Sequence, residues 1–100
     1  MPLKDFNETF DYELRDPEFA AGYLECALED GGVETFLVAL RDVARANGGM
    51  SNVAQSTTLN RENMYRALSE NGNPEFRTVQ SVLKALGMRI SITPDVPQAA

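Results

Sequence analysis

One repeating interval of apolar residues constrains this chain more than any other feature. Val33, Phe36, Leu37, Leu40, Val43 and Ala44 fall at i, i+3, i+4, i+7, i+10 and i+11, a 3.6-residue period that lines one face of an α-helix and cannot line one face of a strand. The spacing predicts a core helix over about 33–47, ended by Asn47, Gly48 and Gly49. The same period recurs on both sides. Asp16 followed by Pro17 reads as an N-cap and a first helical residue whose missing N–H costs nothing. The helix that starts there carries Phe19, Ala20, Tyr23, Leu24, Ala27 and Leu28 to about Glu29, and Gly31 with Gly32 stops it. Ser51 is placed to cap a short helix with Val53 and Ala54 inward, and Asn60 a fourth helix with Met64, Ala67 and Leu68 inward. Phe76, Val79, Val82, Leu83 and Leu86 mark a last helix ending at Gly87. Met88–Thr93 alternates instead, as a half-buried strand does. The segment before Asp16 has no clear period and is expected to be extended or partly ordered.

These signals predict an all-α body of about five helices with a short C-terminal β-strand. A chain of 100 residues with 43% hydrophobic content supports one core and not two. Three regions are expected: an acidic N-terminal arm and helix over 1–32, a helical domain with its strand over 33–93, and a flexible tail over 94–100. No apolar run approaches the roughly 20 residues that cross a bilayer, and the first ten residues lack a signal-peptide layout, so a cytoplasmic location without membrane association is expected. Histidine is absent and Cys26 is the only cysteine, which removes the commonest general base and any internal disulfide. No carboxylate is paired with a basic or metal-binding partner at a spacing that implies chemistry, so no catalytic residue, metal site or cofactor is expected.

Charge is unevenly spread. The first 32 residues hold nine acids against Lys4 and Arg15, whereas the rest holds seven basic and six acidic residues, within a net charge of −6. An acidic arm on a nearly neutral body suits a basic protein partner better than it suits DNA, although a solvated face would look the same.

Residues 50–68 contain two short helices joined by a tight turn, with small Ala54 where they would cross and Val53, Leu59 and Met64 inward. This is the spacing of a helix-turn-helix, whose second helix enters the major groove of DNA, and a generic helical bundle produces it too. Thr58 stands where that motif prefers glycine at positive φ, which predicts a reshaped turn. Three stretches sharpen the reading: DPEFAAGYLECALEDGG, VARANGGMSNVAQSTTLNRENMYRALS and GNPEFRTVQSVLKALGMRISI. Together, from Asp16 to Ile92, they resemble the HigA-type antidote proteins of toxin-antitoxin modules, members of the Cro/lambda-repressor class of helix-turn-helix proteins. The resemblance implies a lambda-repressor-like fold, repression of the protein's own operon, and neutralisation of a small basic RelE-like, ParE-like or HigB-like toxin. Regulators of this class without a toxin also exist.

Within that frame Arg61 and Arg66 are candidates for guanine edges or phosphates, and Asn63 for adenine. A plain solvated face with Glu62 paired to Arg66 is the bland reading. Tyr65 is a candidate for a sugar or thymine contact or for the rim of the core. Ser51, Asn52 and Gln55, near the start of the preceding helix, are candidates for phosphate, with capping sufficient for Ser51. Asn60, Asn71, Asn73 and Arg77 are further candidates at or beyond the helix ends. Phe19, Tyr23 and Leu28 are expected to face the toxin or the protein's own core. Met88, Ile90 and Ile92 share one side of the expected strand, and a second copy of that segment is its simplest partner, giving a homodimer that reads a palindromic operator.

Overall fold

A computed structural model describes residues 6–69 and 72–95. Five α-helices follow in order: α1 (Phe6–Leu14), α2 (Pro17–Ala46), α3 (Gly49–Ala54), α4 (Arg61–Ala67) and α5 (Phe76–Ala85). The two helices expected over 17–29 and 33–47 form one element with a break at Gly32, whose φ of 74° and ψ of −162° lie outside helical space. That region of φ/ψ is nearly closed to residues with a Cβ. Gly32→Ala should therefore destabilise the fold by roughly 1–3 kcal/mol. The strain is in the backbone, since the nearest atom to an added Cβ is a Glu34 carboxylate oxygen at 3.8 Å. An unchanged urea midpoint would show that the break straightens at no cost.

α1 corrects the expectation of an extended N-terminal segment as far as residues 6–14 reach, while residues 1–5 lie outside the described part. Nine residues are too few to hold a helix in water by themselves, so the helix exists because it docks. Leu14 is buried in the core, and the Phe10 ring meets Phe19 and Tyr23 edge-on at 6.1 and 5.1 Å. Polar ties close the far end: Arg15 Nε donates to the Ala46 carbonyl at 2.9 Å and Asn47 Nδ2 to that of Leu14 at 3.3 Å. Periodicity missed α1 because only part of one short face is apolar.

One core joins all five helices. Leu14, Ala20, Leu24, Leu37, Leu40, Val43, Met50, Val53, Met64, Leu68, Val82 and Leu83 are all buried in it. The 32/33 boundary expected from charge thus falls at the break inside α2, with core residues on both sides of it. Val33, counted with the core by its spacing, is 60% exposed because it stands in the first turn after the break, beside a groove.

Asp16 caps α2 as predicted, its carboxylate accepting from the Glu18 N–H at 3.1 Å. Ser51 is no cap. Gly48 and Gly49, at φ 99° and 89°, start α3 three residues earlier than a Ser51 cap would and leave Ser51 inside the helix and exposed. Residues 88–95 form no strand: a ladder needs a second strand, and none occurs among the described residues. Of the segment before Asp16, the one intrachain candidate, residues 6–14 are helical. Of the expected tail, residues 96–100 lie outside the described part.

Tyr23 links the two halves of α2, its hydroxyl donating to Asp42 Oδ2 at 2.8 Å. Asp42 and Asp11 also hold Arg45, at 3.2 and 3.0 Å. Burial, reinforced by the hydrogen bond and the negative charge of Asp42, pushes the Tyr23 phenol up from 10.0 to about 12. The folded state therefore favours the neutral phenol. The stability this confers is fully present below pH 10 and is lost as pH rises toward 12. Tyr23→Phe should be slightly less stable than the parent at pH 9 and lose less between pH 10 and 12. Parallel urea midpoints for the two proteins across that range would disprove the assignment.

Candidate nucleic-acid interface

α3 and α4 are joined by the six residues Gln55–Asn60, longer than the usual turn of three or four. The turn is reshaped around Thr57. Its hydroxyl donates to the Ala54 carbonyl at 2.8 Å and accepts from the Leu59 N–H at 3.0 Å. Among the described residues no non-glycine has positive φ, so Thr58 escapes the strain a glycine position would impose. Asn60 caps α4 as expected, its Oδ1 accepting from the Asn63 N–H at 2.8 Å.

Met64 and Leu68 are wholly buried, and they fix the roll of α4. With 3.6 residues per turn, Glu62 and Arg66 then point directly away from the core, Arg61 and Tyr65 lie on one flank, and Asn63 lies on the other. All five are exposed. The Arg61 guanidinium sits over the Tyr65 ring at 5.2 Å from its centroid, an arrangement that orders both side chains while leaving the guanidinium donors free. Glu62 and Arg66 do not pair: the ion pairs among the described residues are the two made by Arg45.

Tyr65 also walls a cleft of about 360 Å³ with Val38, Arg41, Asp42, Arg45, Gly49 and Met50. Arg41 and Arg45 were not singled out from the sequence. Their signal was available, since both fall between the core positions of α2 and four residues apart, on one side of that helix. Arg45 is engaged by its two aspartates, whereas Arg41 has no ion pair among the described residues. The face therefore combines Arg61, Tyr65 and Arg66 on α4 with Arg41 behind them.

The remaining candidates are dispersed. Ser51 and Gln55 are exposed on and just after α3, and Asn52 donates its Nδ2 to the Asn47 carbonyl at 2.9 Å. Arg77 is exposed in the first turn of α5. Asn73 lines an apolar groove, and Asn71 lies outside the described residues. Phe19, Tyr23 and Leu28 do not form one stripe: the first two rings pack on Phe10, while Leu28 lines the groove. Met88 and Ile90 are half-buried against the core, and Ile92 is 91% exposed. Cys26 is an exposed free thiol.

Residues 3–94 match the family described as probable addiction module antidote protein. The chain belongs to that family. Over 90 residues it is 40% identical to an uncharacterized protein of Haemophilus influenzae, with 90% of each chain covered. No solved structure matches it at a significant level. An antidote acts against a toxin, so membership of the antidote family implies a toxin partner of some kind. Among the described residues no helix is long and apolar enough to cross a membrane.

Proposed function

We propose that this antidote-family chain is a HigA-type antitoxin that represses its own operon through α4 and neutralises a small basic RelE-like or HigB-like toxin. The single observation that carries the reading is the antidote-family match over residues 3–94. It is supported by a short, exposed helix on which Arg61, Tyr65 and Arg66 stand with no competing ion pair among the described residues. In a lambda-repressor-like arrangement α4 is the helix laid in the major groove. Arg61 and Arg66 address bases or phosphates, and Tyr65 and Asn63 flank them. Asn60 keeps its amide N–H groups for phosphate, because only its oxygen is committed to the cap. Asn52 keeps one of its two, the other donating to the Asn47 carbonyl. Ser51, Gln55, Asn73 and Arg77 are candidate backbone contacts.

The toxin surface is assigned to the acidic N-terminal third. Nine of the chain's acids lie in residues 1–32, a charge that repels DNA and attracts a basic protein. Phe19 and Leu28, 40% and 47% exposed, supply apolar anchors on two different sides of α2, with Tyr23 behind Phe19. A homodimer follows from the DNA reading, because one α4 with two arginines reads few bases, while two copies about 34 Å apart read a palindrome.

Copurification with the product of the neighbouring gene, followed by a fluorescence-anisotropy titration on the upstream DNA, tests the proposal. Specific binding to the upstream DNA together with capture of a basic neighbour supports it. Binding to DNA without any toxin would leave a regulator of the same class. Failure on both counts would overturn the reading.

A further inference from the structure

A groove of about 610 Å³ runs between the first half of α2, the start of α5 and the segment after α5. Leu28, Val33 and Phe76 line it at 47%, 60% and 66% exposure, and Ile92, one residue past its rim, is 91% exposed. Large apolar side chains gathered this way mark an interaction surface rather than the scattered exposure normal to a monomer.

The segment crossing the groove is aimed by the end of α5. Gly87, at φ 85°, donates to the Lys84 carbonyl at 3.0 Å and Met88 to that of Leu83 at 2.8 Å. This paired C-cap turns the chain back and seats Met88 beside Leu83. From residue 89 to 95 no backbone–backbone hydrogen bond occurs among the described residues. A chain so placed offers a row of donors and acceptors for pairing with another chain. Glu25 on α2 and Arg89 on this segment both line the groove and are exposed, and neither has an ion pair among the described residues. One patch thus holds an apolar floor, an unpaired backbone, one acid and one base. That is the composition a two-fold interface requires, since the same patch must complement itself.

We propose that a second copy of this chain occupies the groove. The segment over residues 88–93 runs antiparallel to its counterpart, Ile92 of each chain enters the other's groove beside Leu28, Val33 and Phe76, and Arg89 of each faces the other's Glu25. The proposal rests on the homodimer of the preceding subsection and is independent of what α4 binds; it takes Glu25 and Leu28 of the acidic third for the second copy and leaves the Phe19 side of α2 to a toxin.

Charge reversal tests it on the full chain by sedimentation at micromolar concentration. The parent is expected to be a dimer. Glu25→Arg and Arg89→Glu should each weaken association by about tenfold or more, because symmetry places two like-charge contacts in every dimer. Mixing the two variants should restore dimers, since both contacts then join opposite charges. An intrachain Glu25–Arg89 pair predicts no restoration. Ile92→Asp should abolish dimers with an unchanged urea midpoint for the monomer, because that side chain is 91% exposed in a single chain. A dimeric parent indifferent to all three changes overturns the groove while leaving the homodimer standing on another surface. A monomeric parent overturns both. A monomeric parent whose capture of a basic neighbour is lost with Glu25→Arg assigns the groove to the toxin and overturns the second copy as its occupant.

Discussion

Leu40→Ala should lower the unfolding free energy by about 2–5 kcal/mol, the range for deleting a leucine from a core that cannot collapse around the loss. Leu40 is 0% exposed and belongs to a cluster drawn from every helix, so α2 cannot close the void without pulling α1 and the α3–α4 unit with it. For a domain of this size each kcal/mol shifts the midpoint by roughly 4–8 °C, and total stability is about 5–15 kcal/mol. The variant should therefore melt on the order of 10 °C or more below the parent. Val33→Ala is the matching control. It removes an apolar side chain from the same sequence period, but at 60% exposure in a single chain it should change the stability of the monomer by no more than about 0.5 kcal/mol. Equal losses for the two variants in urea titrations would mean that the break at Gly32 does not turn Val33 out of the core.

The Arg61→Ala/Arg66→Ala pair should carry the largest effect on DNA affinity. Each arginine in contact with a base edge is worth roughly 1–3 kcal/mol, so the double variant should lose at least tenfold in affinity for its operator. Folding should be nearly unchanged. Both side chains are exposed, neither has an ion pair among the described residues, and the Arg61–Tyr65 contact is worth only about 0.5–1 kcal/mol at an exposed site. The single variants separate two modes of contact. A base contact is lost selectively on the operator, whereas a phosphate contact is lost equally on unrelated DNA and reduces the salt slope by about one. An unaltered affinity in the double variant, with the fold intact by circular dichroism, would remove DNA recognition from α4. Arg41→Ala should then be measured, because that guanidinium shares the Tyr65 cleft from α2.

Helix placement was legible in the chain wherever a local signal was strong. The break at Gly32, the caps at Asp16 and Asn60 and the stop at Gly87 depend on a few neighbouring atoms, and each is written in residue types with few alternatives. The inward side of α4 was equally clear, because Met64 and Leu68 are its apolar positions at helical spacing. Ser51 was misread because a serine just beyond a pair of glycines is a good cap in isolation. The φ values of those glycines, which decided where α3 begins, are set by its packing on α2 and α4.

By itself the sequence determined the five-part succession of helical periods, the concentration of acid in residues 1–32 and the polar face of α4, because periodicity, capping and charge act over a few residues. Only the tertiary structure decided the rest. α1 became a helix because the Phe10 ring found partners 9 and 13 residues on and Leu14 a place in the shared core. The apolar stripe of α2 was divided between the ring cluster and the groove. Arg41 was brought behind Tyr65 and Glu25 to the same groove as Arg89, contacts set by how helices cross and not by any spacing along the chain.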